Sequence, residues 1–290
     1  LVPTKAHFVW GQAVPTPARH PVALYPLRSR HILITPLVSA LILFLAFAAG
    51  AQSTNSLPPA EIQGQQLAAE ILSETPATNL TQTGLLRIRN SEGTTNIPIT
   101  FKTDNLDTSN FGSNLPTVWR TAYSATPSKN PSASQTLIIT HIEGQRNGYS
   151  LLPHIQGTTG FSQVLPYLTE SQIMSPFAGS DFWIADLGLE FFHWPEQKII
   201  GHETRRTRNC TKLESDNPDP SAGGYSRVVT WIDNQTLGII YAEAYDTNDK
   251  LLKIFDPKKV KKVNGQWQLE DIEIQNVQTH SRTWIRFDLK

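Results

Sequence analysis

The sequence predicts a mainly β fold with few helices (α+β): an unclosed antiparallel half-barrel of about eleven strands, with helices covering its concave face. First, runs of alternating apolar and polar residues recur through most of the chain after residue 85, and this period of two is typical of half-buried strands. Second, the links between the runs are short and rich in turn residues, which favours antiparallel neighbours. Third, only two segments have helical spacing, and a sheet this large curls. Such a fold encloses an apolar hollow.

The beginning of the chain has the pattern of a secretory signal peptide. Arg28 and Arg30 precede an apolar run at residues 32–47, which is followed by the small residues Ala49-Gly50-Ala51. A basic start, an apolar middle and small residues before the cleavage point favour export, with cleavage after Ala51. An uncleaved anchor is the alternative interpretation, because the apolar run approaches the ~20 residues of a membrane span.

This pattern divides the chain into three parts. Residues 1–27 are an upstream extension of doubtful start, since the only methionine of the chain is Met174. Residues 28–51 are the signal peptide. Residues 52–290 are expected to form a single exported domain.

Charge and cysteine content narrow the possible partners. The chain has 25 basic and 25 acidic residues, and removal of residues 1–51 takes away four basic residues and no acidic one. Nucleic-acid-binding domains usually have a strongly basic face, so a nucleic acid is not expected as a partner. The protein is also expected to be a monomer. Cys210 is the only cysteine, which excludes an internal disulfide and favours a small buried apolar side chain.

The first predicted element of the exported chain is an amphipathic helix that begins near Pro59. Proline is tolerated there because its missing N–H would have no partner at a helix start. An apolar stripe at helical spacing follows, and Pro76 prevents its continuation. The stripe comprises Ile62, Leu67, Ile71 and Leu72.

Strands are predicted on both sides of an aromatic stretch. Four precede it, at residues 86–89, 97–102, 117–125 and 135–142. Residues 150–175 are less regular, with a short helix expected around residues 164–174. Seven strands follow, at roughly residues 197–205, 207–215, 225–233, 238–246, 250–256, 266–277 and 280–289.

The aromatic stretch itself, residues 176–195, is predicted to be a short helix. Ser180 or Asp181 can cap its start, and Pro195 ends it. Its apolar residues form two stripes at helical spacing, which is typical of an element that is deeply buried or lines an apolar pocket. Sealing of a dry core is the alternative role of each side chain. The candidate lining residues of such a pocket are Phe182, Trp183, Leu187, Phe191, Phe192 and Trp194.

No catalytic or metal-binding pattern stands out in the sequence. Asp181 and Asp186 lie five apart, a spacing that does not bring two carboxylates together on a helix. His202-Glu203 lacks the second histidine of a zinc-binding helix, and Gly179-Ser180 is not followed by the glycine of a nucleophile elbow. We therefore expect no enzyme activity, no cofactor and no metal, with an exported hydrolase as a less favoured alternative.

Two charged groups near turns are expected at the surface. Tyr245, Asp246 and Lys253 flank a hairpin turn and predict a cross-strand contact on the surface. Four lysines between residues 258 and 262 form a basic cluster that is expected in a loop. This cluster is either a solvated turn or a contact for an acidic partner or lipid headgroups.

The order of several short strings resembles the LolA-like family of outer-membrane lipoprotein-sorting proteins. The strings cover about the C-terminal two fifths of the chain, and their common order makes the resemblance specific. They are Gly179-Ser180-Asp181-Phe182, Asp186-Leu187, Gly201-His202-Glu203, Cys210, Tyr225-Ser226-Arg227-Val228, Trp231-Ile232-Asp233, Ala242-Glu243-Ala244-Tyr245-Asp246, Leu252-Lys253, Asn276 and Arg282-Thr283.

The resemblance implies a function as well as a fold. A LolA-like protein carries the acyl chains of lipoproteins, or related lipids, across the periplasm to the outer membrane. It receives them from an inner-membrane release complex and passes them to an outer-membrane acceptor. On this resemblance, residues 52–290 are a LolA/LolB-like lipid-carrier domain, and a lipid-sensing regulator on the same fold is the alternative.

The energetics of acyl chains are consistent with an open carrier. Burial is worth about 0.8 kcal/mol per methylene, so full enclosure of a sixteen-carbon chain gains on the order of 10 kcal/mol. Several chains held so completely would not be released. A carrier therefore needs an incomplete enclosure, which an open sheet with a movable aromatic cover provides.

Overall fold

The computed structural model describes the chain in seven ranges. They are residues 7–9, 12–14, 58–75, 79–106, 116–153, 166–263 and 266–289. Within residues 1–27 the described part is two short antiparallel strands, β1 (His7–Val9) and β2 (Gln12–Val14). The predicted signal peptide lies outside the described residues. Within them, none of the helices has the length and apolar character needed to cross a membrane.

A single open antiparallel sheet forms the body of the protein, as the sequence predicts. Its spatial order is β7-β6-β5-β4-β3-β14-β13-β12-β11-β10-β9-β8, so β7 and β8 are the free edges. The strands are β3 (Leu80–Asn90), β4 (Gly93–Leu106), β5 (Val118–Ala125), β6 (Gln135–Ile142), β7 (Gly148–Pro153), β8 (Glu196–Arg205), β9 (Arg208–Asp216), β10 (Tyr225–Asp233), β11 (Ile239–Asp246), β12 (Leu251–Val263), β13 (Gln266–Asn276) and β14 (Ser281–Phe287).

The sheet has twelve strands where about eleven were predicted, and β7 is the additional one. It lies in the stretch whose alternation is weak, with Leu151 and Leu152 adjacent and Pro153 at its end. A short edge strand can tolerate such a pattern because only one of its sides is hydrogen-bonded to a neighbour.

The helices are few and short, apart from the first. α1 (Pro59–Leu72) confirms the predicted helix. Its buried face is formed by Gly64, Ala68 and Ile71, whereas Ile62 of the predicted stripe is exposed, so the stripe was only partly right. The others are α2 (Glu170–Ile173) and α3 (Ile184–Leu187), together with 3-10 turns at Pro131–Ala133, Phe177–Gly179 and Glu190–His193.

The prediction of one short continuous helix between a cap at Ser180 or Asp181 and its end at Pro195 is wrong. α3 stops after a single turn, and Leu189 then adopts a left-handed conformation with φ of 52°. Ala178 is left-handed as well, with φ of 51°. Each such residue costs roughly 1–2 kcal/mol, so contacts with the rest of the protein must hold the backbone there. The two helical stripes inferred from the spacing do not exist.

The basic cluster at residues 258–262 is in a strand, so its prediction as a loop is also wrong. β12 continues to Val263, beyond two register shifts between Pro257 and Val260, and pairs with β13 along this length. The four lysines are exposed. Lys258 and Lys259 pair with acids, the latter with Glu270 at 2.9 Å, and Lys261 donates to the carbonyl of Leu289. Residues 258–262 are all exposed, so this part of the strand lacks the alternation by which a half-buried strand is recognised.

A close contact at Gly64 fixes α1 against edge strand β8. A Cβ atom on Gly64 would lie 2.6 Å from the carbonyl oxygen of Gln197. Gln65 Nε2 also donates a hydrogen bond to the carbonyl of Pro195, at 3.2 Å. Glycine is therefore required at this crossing, and the helix can approach the strand backbone directly.

We predict that Gly64→Ala destabilises the protein, although alanine is the better helix former. Helix propensity alone would make this change favourable by roughly 0.5–1 kcal/mol, whereas overpacking costs typically 1–3 kcal/mol. Urea unfolding should show a lower free energy of unfolding. Gln66→Gly, at an exposed position of the same helix, measures the propensity effect alone. A stabilised Gly64→Ala variant would contradict the close contact.

Candidate functional site

Three buried acids tie the aromatic stretch to the sheet. We call residues 176–195 the plug, because this segment covers part of the concave face. The acids are Asp181, Asp186 and Glu190, and each is less than one tenth exposed. Each has its partners on a different part of the sheet.

Asp181 binds the last strand. Its carboxylate accepts hydrogen bonds from Ser281 and from Thr283 Oγ1, the latter at 2.8 Å, and its own N–H donates to Thr283 Oγ1 at 3.0 Å. The predicted role of Asp181 as a helix cap is therefore wrong. The side chain serves a contact with a strand about one hundred residues later, which local spacing cannot reveal.

Asp186 is at the centre of a fully buried polar cluster. Its carboxylate accepts hydrogen bonds from Trp183 N–H at 2.7 Å and from the hydroxyl of Tyr225 at 2.9 Å. Lys253 Nζ lies 3.4 Å from it, and neither side chain has any exposure. The ring of Trp183 stacks on the ring of Tyr225. Lys253 Nζ lies 3.6 Å from the centroid of the Trp183 ring.

Burial shifts the pKa values of this pair in opposite directions. Desolvation raises the pKa of Asp186, and the attraction of Lys253 opposes that rise. Desolvation lowers the pKa of Lys253 to about 8, against the attraction of Asp186. The prediction of Lys253 in a surface contact is therefore wrong: β12 turns this side chain inwards, where Asp186 and two aromatic rings receive it.

Glu190 connects the end of the plug to the other edge of the sheet. Arg146 donates to it from Nε at 3.1 Å and from a terminal nitrogen at 2.7 Å, and the hydroxyl of Tyr149 donates at 3.0 Å. Asn147 Nδ2 also donates to the carbonyl of Gly188 at 2.9 Å. Burial raises the pKa of Glu190, and Arg146 opposes that rise. The three acids together hold the plug across the sheet from β14 to β7.

The plug does not fill the concave side completely. A cavity of about 600 Å³, which we call the cleft, lies between α1, the strands β5 and β6, and the end of the plug. This volume is within the roughly 300–1,000 Å³ typical of small-molecule sites. The cleft is lined by Gln65, Ala68, Ala69, Leu72, Ser73, Thr75, Trp119, the residues from His141 to Asn147, the residues from Phe192 to Pro195, and Gln197.

The predicted lining residues divide into two groups. Phe192 and Trp194 line the cleft. Leu187 lines a small apolar cavity of about 30 Å³, which shares Leu72, Trp119, His141 and Asn147 with the cleft. The other three lie elsewhere in the plug: Phe182 and Phe191 are buried in the main core, and Trp183 covers Lys253.

Trp119 and His141 form a wall of the cleft that sequence reasoning missed. They face each other across β5 and β6, with their rings stacked at 4.9 Å and nearly parallel. Thr121 Oγ1 lies 3.1 Å from His141 Nε2. The sequence did contain a signal for this contact. The loop between the two predicted strands fixes a pairing in which Trp119 and His141 lie opposite each other.

The histidines of the cleft are uncharged at neutral pH. Burial lowers the pKa of His141 to about 4, and nearby His193 contributes to this. Burial also lowers the pKa of His193 to about 4, with a further contribution from Arg146. The wall beside Trp119 and Trp194 is therefore mainly apolar and neutral. Among the described residues, no group of three or more His, Cys, Asp or Glu side chains is arranged to hold a metal ion.

Comparison with known proteins places the chain in a family. A family model described only as "Uncharacterized protein" matches residues 133–289, which is more than half of the chain. The chain belongs to this family. All the strings that carry the sequence resemblance, from Gly179 to Thr283, lie within the matched residues. A search of curated proteins found no match.

Several solved structures have a fold similar to that of this chain. A domain from Vibrio parahaemolyticus, described as an outer membrane lipoprotein-sorting protein, matches with a TM-score of 0.61 and 16% identity, over 79% of this chain and 91% of that one. A DUF1329 family protein from Desulfovibrio piger matches with a TM-score of 0.58, 16% identity and the same two coverages.

A LolA superfamily protein from Nitrosomonas europaea matches with a TM-score of 0.51 and 13% identity, over 80% of this chain and 94% of that one. At these identities the likeness shows the fold alone. The LolA-like fold inferred from the sequence is thereby confirmed.

We predict that Lys253→Met is strongly destabilising, because it leaves the buried carboxyl group of Asp186 without its cationic partner. Removal of one partner from a buried pair costs about 3–5 kcal/mol, measured as the free energy of unfolding in urea at pH 7. Lys259→Met, which removes a surface partner of Glu270, should stay within about 0.5 kcal/mol of the unchanged protein. Equal effects of the two changes would contradict the buried pair.

We also predict that the cleft histidines make the fold sensitive to mild acid. Their folded-state pKa values of about 4 lie below the ordinary 6.5, so the unfolded chain takes up protons first as the pH falls. The contribution of the neutral histidines to the free energy of unfolding is fully present above pH 6.5 and is lost as the pH falls towards 4. The variant with both His141→Phe and His193→Phe should lose less stability than the unchanged protein between pH 7 and pH 5 in urea unfolding. Parallel pH profiles would contradict this assignment.

Proposed function

We propose that the protein is a periplasmic carrier that holds an acyl chain of a lipoprotein, or of a related lipid, in the cleft. The observation that carries the proposal is the cleft itself: an apolar hollow on the concave side of an open sheet, between α1 and the aromatic end of the plug. Trp119, Leu72, Phe192 and Trp194 supply apolar walls for such a chain.

The shape of the cleft favours a ligand that is bound and later released. Each methylene that leaves water for an apolar site contributes about 0.8 kcal/mol. The lining also includes polar residues of the turn after β6, such as Glu143, Gln145 and Arg146. A chain in the cleft would be enclosed by the apolar walls and would face these polar groups at the rim, so its transfer to a partner would not require the core to unfold.

Binding in this proposal needs no chemical step. The two histidines that line the cleft are neutral, and the carboxylates of the plug are held by their own partners. The six predicted lipid-binding residues remain candidates, with Leu187, Phe192 and Trp194 placed at cavity walls.

Export and delivery complete the proposal. The basic, apolar and small-residue pattern up to Ala51 supports cleavage and release into the periplasm. The likeness to a domain described as an outer membrane lipoprotein-sorting protein supports delivery to that membrane. The expected partners are an inner-membrane release complex and an outer-membrane acceptor.

Native mass spectrometry of the protein, purified from the periplasm of its own host, tests the proposal. The expected result is a protein that retains acylated cargo, which is released when the protein is unfolded. A protein that carries no lipid and hydrolyses ester substrates would overturn the proposal in favour of an exported hydrolase.

We predict that Ala69→Trp weakens the binding of a fluorescent long-chain acyl probe. Ala69 lines the cleft but is exposed, so a larger side chain there can occupy ligand space without entering the core. Displacement of about two methylenes at ~0.8 kcal/mol each weakens binding about tenfold. Fluorescence titration measures this.

Gln66→Trp is the matched control for this prediction. Gln66 is an exposed position on the same helix and is not part of the lining of the cleft, so the probe should bind this variant as it binds the unchanged protein. Equal affinities of Ala69→Trp and Gln66→Trp would place the acyl chain outside the cleft.

A further inference from the structure

The position of the plug is not set by regular secondary structure. α3 and the turn at Glu190–His193 are four residues each, and left-handed Leu189 separates them. Such short turns have little stability of their own. The plug must therefore be placed by contacts between its side chains and the sheet.

Apolar contacts alone would place the plug poorly. Phe182, Ile184 and Leu187 are buried in the main core, but hydrophobic burial is non-directional. Apolar side chains of similar volume often accept alternative packings, and a core then loses its uniqueness before it loses stability. A directional contact is needed to select one placement.

The buried pair of Asp186 and Lys253 supplies this direction. Asp186 meets the sheet through the hydroxyl of Tyr225 and the ammonium of Lys253, at 2.9 and 3.4 Å, whereas its third partner, Trp183 N–H, belongs to the plug itself. A small slip of the plug would leave both charges unpaired in a core without solvent, which is strongly unfavourable.

A gain in the free energy of unfolding does not explain why the pair of Asp186 and Lys253 is buried. Removal of two charges from water carries a large penalty, and replacement of a buried ion pair by apolar residues of similar size is often neutral or stabilising. Buried polar groups can be kept because they specify a register instead, as is best documented in coiled coils.

The position of Asp186 affects the shape of the cleft because residues shortly after it in the chain line the cleft and the small cavity beside it. Leu187, the next residue, lines the small cavity beside the cleft, together with Gly188 and Leu189. Gly188 fits directly against Tyr149, where a Cβ atom would lie 2.2 Å from the hydroxyl oxygen. Trp194 follows within a few residues and lines the cleft. A shift of α3 therefore moves the wall that a ligand contacts.

We infer that Lys253, acting through Asp186, is a positioning residue of the cleft: the buried pair holds the plug in the one placement that gives the cleft its shape. Lys253 itself has no exposure and acts only through this contact. The binding part of the test rests on the proposed function, whereas the position of the plug can be measured without any ligand.

The test is the double variant Asp186→Leu/Lys253→Met, which replaces the pair by apolar side chains of similar size. Three quantities are compared with the unchanged protein: the free energy of unfolding in urea, the affinity for a fluorescent long-chain acyl probe, and the fluorine NMR signal of 5-fluorotryptophan at Trp194, assigned with Trp194→Phe. The control is Lys259→Met/Glu270→Leu, which removes a surface pair that bridges β12 and β13.

The expected double variant is folded, with a free energy of unfolding equal to or above that of the unchanged protein. Its Trp194 signal splits or broadens because several placements of the plug coexist. If about one tenth of the molecules keep the competent placement, the apparent affinity falls about tenfold. The control variant should keep a single Trp194 signal and full affinity.

Other results overturn the inference. A single unchanged Trp194 signal with unchanged affinity would show that the remaining contacts of the plug, through Asp181, Glu190 and apolar packing, place it without the pair. A marked loss of stability in the double variant would show that the pair is a stabilising contact. If the unchanged protein binds no acyl probe, the proposed function fails, while the Trp194 signal still decides the inference.

Should the double variant fail to fold, Asp186→Asn carries the same test. This change removes the charge that faces Lys253 and keeps a side-chain oxygen that can accept from Trp183 N–H and from the hydroxyl of Tyr225. A broadened Trp194 signal in a folded Asp186→Asn variant supports the inference, and an unchanged signal overturns it.

Discussion

Three buried carboxylates on one short segment determine how the concave side of this sheet is covered. Asp181 reaches β14, Asp186 reaches β10 and β12, and Glu190 reaches β7 and the turn before it. Charged groups without solvent must be hydrogen-bonded in one arrangement or they are very costly. The plug, which has hardly any regular structure, is thereby held in a defined place.

The cleft follows from that placement and from the position of α1. Gly64 lets α1 lie directly on the backbone of β8, and the plug ends where Trp194 faces the same space. Trp119 and His141 close the opposite side. The cleft stays open because polar or backbone contacts elsewhere fix both α1 and the plug. Apolar packing alone would tend to close it.

Most of the fold could be predicted because its determinants are local. Alternation in β3 and β4 and the proline at the start of α1 predict the right elements in the right order. The plug could not be predicted in the same way, since Asp181 and its partner Thr283 are about one hundred residues apart in the chain. Lys253 looked like a surface residue for the same reason: alternation shows that one strand face is buried but not which polar residue finds a partner inside.

The candidate site was predicted in part for related reasons. Aromatic composition pointed to Phe192 and Trp194, whereas Trp119 and His141 need the pairing of β5 with β6 to be recognised as one wall. The most direct test of the account is a crystal structure of the protein with an acylated peptide. The account predicts that the acyl chain lies between Leu72, Trp119 and Trp194. A chain bound on the convex face of the sheet, with the cleft filled only by water, would contradict it.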